Sequence, residues 1–89
     1  MTGRRLPDGP EAQTFTPGDY QKITDHPHPE VAGTWYVCTP DGRVGWLKNH
    51  TVVEHEDGTI TASPSILVSA GGREGSWHGY LEHGVWREV

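Results

Sequence analysis

Residues 33–47 read Gly33-Thr34-Trp35-Tyr36-Val37-Cys38-Thr39-Pro40-Asp41-Gly42-Arg43-Val44-Gly45-Trp46-Leu47. The first half is β-branched and aromatic, side chains that suit a pleated, half-buried surface. Pro40-Asp41-Gly42 supplies a type I turn closed by a left-handed glycine, which pairs Thr39 with Arg43. The register follows from that closure. Trp35 and Val37 fall opposite Leu47 and Gly45, and Tyr36 and Cys38 opposite Trp46 and Val44. Both faces of this hairpin are apolar, so it is either buried on two sides or displays an aromatic patch.

Two more hairpins can be written downstream. Asp57-Gly58 is a two-residue turn signal; it pairs His55 with Ile60 and Val53 with Ala62, with Val52, Glu54, Thr61 and Ser63 on the other face. His83-Gly84 joins residues 76–82 to 85–89. There Trp77, Gly79, Leu81 and Trp86 share one face, and His78, Tyr80 and Arg87 the other. Between these hairpins lie Ser63-Pro64-Ser65, a strand over Ile66–Ser69 and a glycine-rich loop from Ala70 to Ser76. No stretch has helical periodicity beyond about two turns. The expected fold is all-β: a small twisted antiparallel sheet or open barrel of six to eight short strands.

Upstream the character changes. Residues 1–33 hold five of the seven prolines and few large apolar side chains. Thr16-Pro17-Gly18-Asp19 reads as a type II turn, followed by a strand over Asp19–Ile23. Residues 25–29 form a loop, because each proline pushes the residue before it out of the helical region. Residues 1–15 have no period of any kind. The reading is therefore a disordered arm over 1–16 and a single β-rich domain over 17–89.

Composition narrows the function classes. Of the 89 residues, 21% are charged and 33% hydrophobic, with twelve glycines. Twelve acids against seven scattered Lys and Arg, a net charge of −5, argue against a nucleic-acid partner. No apolar run is long enough to span a membrane. The start lacks the apolar stretch of a signal peptide, and the lone Cys38 forbids an internal disulfide framework. A cytoplasmic protein, monomeric or a homodimer, without a cofactor, is expected.

Three groups of residues bear on chemistry. Cys38 with His50, His55 and His78 has the donor types of a zinc site. No finger-type pair of ligands supports one, so no metal site is expected. A serine becomes nucleophilic when a histidine takes its proton and an acid orients that histidine. Ser65, His78 and Asp57 are the candidate triplet. Ser63 is the rival nucleophile, His55 the rival base, and Glu54 and Glu56 are alternative acids. The same residues also read as turn serines beside a surface histidine. The third group is the aromatics: with four Trp and three Tyr, some rings must lie on outer faces, where Trp46, Tyr36 and Tyr80 are candidates for contacting a partner.

The stretches Pro17-Gly18-Asp19-Tyr20, Trp35 to Gly42, Thr51 to Gly58, Thr59 to Ile66, and Trp77-His78-Gly79-Tyr80-Leu81-Glu82 with Gly84-Val85-Trp86 resemble short uncharacterised proteins of actinobacteria and their phages. Those are in turn similar to the wider BubE-like family of bacterial ubiquitin-like conjugation operons. The resemblance implies a peptidase that trims or removes a ubiquitin-like protein. It lends Ser65, or Ser63, as nucleophile and His78 as base. Two functional readings result. One is a serine-type hydrolase acting on a ubiquitin-like substrate. The other is a non-catalytic protein-binding module, a phage accessory or anti-defence factor that works through exposed aromatics.

Overall fold

A computed structural model describes residues 1–69 and 75–89. Its strands are β1 (Arg4–Arg5), β2 (Asp19–Ile23), β3 (Thr34–Cys38), β4 (Val44–Trp46), β5 (Thr51–Glu54), β6 (Ile60–Val68), β7 (Trp77–Glu82) and β8 (Val85–Glu88). They form two four-stranded sheets, β1-β2-β3-β4 and β5-β6-β7-β8, and not a closed barrel. The all-β expectation holds, with eight strands. All pairs are antiparallel except β1–β2, which is parallel. The glycine-rich loop expected over 70–76 lies mostly outside the described residues.

The core is shared between the sheets. Tyr20, Trp35, Val37 and Leu47 come from the first, and Ile60, Ala62, Ile66, Val68, Trp77, Leu81 and Trp86 from the second. Trp77 and Trp86 meet edge to face at 5.4 Å, a preferred arrangement for aromatic quadrupoles. Trp86 Nε1 donates to the Gly18 carbonyl at 2.9 Å, tying the sheets with a buried hydrogen bond. Across the open side, Lys22 Nζ reaches Glu54 at 2.9 Å.

The β3–β4 and β7–β8 hairpins have the registers expected from their turns, including Tyr36 opposite Trp46 and Leu81 opposite Trp86. The β5–β6 hairpin is displaced by one residue: Val52 pairs with Ala62 and Glu54 with Ile60. The reason is the loop. His55 N–H donates to the Thr59 carbonyl and Gly58 N–H to the His55 carbonyl, enclosing Glu56-Asp57-Gly58 rather than Asp57-Gly58 alone. Gly58, at φ 86°, takes the left-handed position of this three-residue loop. Because a one-residue slip exchanges faces, Val52 packs on the core and Val53 is exposed.

Ser63-Pro64-Ser65 also departs from the expected connector. It lies inside β6, within a register shift: Ala62 faces Leu81 but Ile66 faces Gly79. Three residues of β6 thus oppose Tyr80 alone. Such a bulge bends a strand and re-aims its side chains.

The disordered arm expected over 1–16 from its aperiodic sequence is not shown. Arg4 and Arg5 pair with Asp19 and Tyr20, and Thr2 bridges Val85 on the far edge of the second sheet. Two buried polar side chains of β2 anchor the arm. Gln21 Nε2 donates to the Pro7 and Pro10 carbonyls, and its Oε1 accepts from Ala12 N–H. Asp19 accepts from Arg4 Nε and Nη2 and from Thr16 N–H and Oγ1. Burial pushes the Asp19 carboxyl up, but these bonds outweigh it and hold it below the usual carboxylate range. The β-rich unit therefore includes the arm.

Candidate active site

The candidate serine and histidine lie among the outward-facing residues of the second sheet. Inward positions alternate through Ile60, Ala62, Ile66 and Val68 on β6 and through Trp77, Gly79 and Leu81 on β7. Thr61, Ser65 and Leu67 therefore face out with His78, Tyr80 and Glu82. Gly79 lets this happen at close quarters. A Cβ there would collide with the Arg87 carbonyl oxygen and with Trp77 Cη2.

The bulge in β6 turns Ser65 toward its neighbour strand. Ser65 Oγ and His78 Nε2 are 2.9 Å apart, the reach at which a hydroxyl donates to a ring nitrogen. Leu67 is the direct cross-strand partner of His78 and is 63% exposed. The Ser65 carbonyl meets a second imidazole, His50 Nε2, at 3.1 Å.

The remaining sequence candidates lie elsewhere. Asp57 does not reach His78: its carboxylate accepts from Thr59 N–H and Oγ1 in its own turn. Those two bonds, and to a smaller degree the nearness of His55 and His83, hold its carboxyl below the ordinary range. Among the described residues no carboxylate is hydrogen-bonded to His78. Glu54 is committed to Lys22 and Arg5. Ser63 is exposed and pairs with Thr51 in the ladder. His55 bonds Thr61 Oγ1 at 2.7 Å and stacks on His83 at 3.7 Å, so it serves neither serine.

Of the aromatic candidates, Tyr36 and Trp46 touch on the first sheet, 6.0 Å between rings, with Lys48 over Trp46. Burial, then Glu11, raises the Tyr36 phenol above its usual value. Tyr80 belongs to the second sheet, beneath the Arg87 guanidinium at 4.4 Å. The three rings do not make one patch. Among the described residues, no group of three His, Cys, Asp or Glu is placed to hold a metal ion, and no helix is long and apolar enough to cross a membrane.

Among the described residues, hollows lie near two of the chain's turns. One, about 570 Å³, lies between the arm and the β5–β6 turn, against Arg5, Tyr20 and Asp57. The other, about 310 Å³, lies against Trp35, Leu47 and His50. Neither is lined by Ser65 or His78, whose contact is solvent-exposed on the outer face of the second sheet. Sequence reasoning named Ser65 and His78 but missed His50 as a neighbour of the serine, because no spacing pattern links a turn histidine to a carbonyl fifteen residues on. Compared with known protein families, with curated proteins and with solved structures, the chain matches none.

Proposed function

We propose that the chain is a serine-type hydrolase built on a Ser65–His78 dyad. The observation that carries this reading is the 2.9 Å contact between Ser65 Oγ and His78 Nε2. In the proposed reaction Oγ attacks the carbonyl carbon of an amide, and its proton passes to Nε2. Collapse of the tetrahedral adduct breaks the C–N bond, and the same proton leaves on the amine. Water, deprotonated by His78, then frees the acyl group and restores the Ser65 hydroxyl.

Two features shape the expected activity. No carboxylate among the described residues bonds His78 to stabilise the imidazolium, and loss of that carboxylate costs triad enzymes about 10⁴-fold in kcat. A small substrate needs a concave site that removes most of its surface from water. An open sheet face instead fits a macromolecular substrate. A polypeptide is the proposed class, and the family resemblance suggests a ubiquitin-like protein.

The test is reaction with a fluorophosphonate serine-hydrolase probe, read by intact mass. Labelling of the wild type that is lost in Ser65→Ala and His78→Ala and kept in Ser63→Ala supports the reading. An unlabelled wild type sinks it. The second reading, a non-catalytic protein-binding module, is favoured by Val53, Leu67 and Val85. These outward-facing apolar side chains of the second sheet are 51%, 63% and 47% exposed.

A further inference from the structure

The connection between the sheets reaches the serine from behind. Residues 47–50 carry the chain from β4 to β5, and the His50 N–H donates to the Leu47 carbonyl at 3.4 Å. From that turn His50 Nε2 points at the Ser65 carbonyl oxygen, 3.1 Å away. A carbonyl oxygen only accepts, so Nε2 carries the hydrogen and donates. The other nitrogen, Nδ1, is buried and reaches no donor among the described residues.

A buried polar atom without a partner is destabilising and calls for an explanation. Here it is the cost of holding the ring against one carbonyl. That carbonyl lies within the β6 bulge, between the Ala62–Leu81 and Ile66–Gly79 pairs of the ladder to β7. The His50 bond fixes the peptide plane that follows Ser65. The position of the Ser65 Cα, and with it the aim of Oγ at His78, depends on that plane.

We infer that His50 is a positioning residue for the Ser65–His78 pair, clamping the nucleophile's main chain from the side opposite its base. It touches neither substrate nor the transferred proton. The inference rests on the dyad reading for its catalytic consequence, but its geometric content stands apart from it.

The experiment compares His50→Ala and His50→Gln, since the glutamine amide can still donate to the carbonyl. With the fluorophosphonate probe, the saturating inactivation rate should fall at least about tenfold in His50→Ala, because ångström-scale misplacement of a reacting group costs up to 10²-fold. Half-saturation should stay constant, and His50→Gln should remain near the wild type. A purely stabilising role would lower the Tm and leave the saturating rate unmoved. The second readout is the ¹⁵N shift of His78 Nε2, which reports its hydrogen bond without any reaction. It should move toward that of a free imidazole in His50→Ala and not in His50→Gln. A folded His50→Ala protein with the wild-type rate overturns the role of His50 and leaves the hydrolase standing. If the wild type does not label at all, the hydrolase reading falls. The His78 shift then decides His50 alone, and an unmoved shift overturns it.

Discussion

Among the described residues, the second sheet and its turns hold two imidazole–hydroxyl contacts that look alike and differ in what is left over. His55 Nε2 lies 2.7 Å from Thr61 Oγ1, and His78 Nε2 lies 2.9 Å from Ser65 Oγ. Thr61 Oγ1 also accepts the His83 N–H at 3.0 Å, and His55 is stacked on His83. That oxygen joins the β5–β6 hairpin to the β7–β8 turn, and it is a secondary alcohol with its capacity largely spent. Ser65 Oγ is a primary alcohol whose only protein partner among the described residues is His78. Distance alone would rank Thr61 first. The unspent valence of the oxygen, and the open face before it, rank Ser65 first.

The contrast breaks most sharply under the serine probe. Ser65→Ala and His78→Ala should each lower the labelling rate by at least about 10³-fold, as removal of one member of a nucleophile–base unit does. Thr61→Val and His55→Ala should leave it within about threefold. A labelled mass that survives Ser65→Ala and disappears in Thr61→Val would exchange the two roles.

Stability should show the reverse order. Thr61→Val strands the His83 N–H and the His55 ring, and should cost about 1 kcal/mol in urea unfolding. Ser65→Ala removes one solvent-replaceable bond and should cost less. A larger loss than either is expected for Gly79→Ala. Its Cβ has no room between Trp77 and the Arg87 carbonyl, and overpacking of this kind costs about 3 kcal/mol. If Gly79→Ala unfolds at the wild-type urea midpoint, β7 does not hold His78 as tightly as described.

How much of this was legible follows from where each signal sits. The β3–β4 register was readable because Pro40-Asp41-Gly42 admits one closure, with Thr39 N–H bonded to the Arg43 carbonyl. Asp57-Gly58 admits two closures, and the choice lies in a bond from Thr59 back to Asp57 rather than in hydrophobic alternation. With Val52 and Val53 adjacent, the pattern cannot say which faces in. The arm was illegible because its anchors belong to the receiver: Gln21 holds its backbone and Asp19 holds Thr16 and the Arg4 guanidinium, while its own side chains show no period. Ser65 and His78 were nameable as residues, but their contact depends on a bulge that no alternation pattern announces. Asp57 was assigned to His78 on residue type, whereas its turn keeps the carboxylate for Thr59.

The smallest effect separates the two contacts at the level of charge. Hydrogen bonds from the Thr59 hydroxyl and N–H, with His55 and His83 nearby, hold the Asp57 carboxyl below its ordinary value. The unfolded chain, with a carboxyl near about 3.9, takes up its proton first as pH falls. Stability from the ionised Asp57 is therefore complete above the unfolded value and is lost as pH falls through the folded one. Urea midpoints measured from neutral pH down into that range should converge for wild type and Asp57→Asn. At neutral pH the same substitution should leave probe labelling of Ser65 within about twofold, because Asp57 is bonded to Thr59 and not to His78. A loss approaching the ~10⁴-fold typical of a missing triad carboxylate would mean that Asp57 acts through His78. The Thr61 and Ser65 contacts would then be parts of one site.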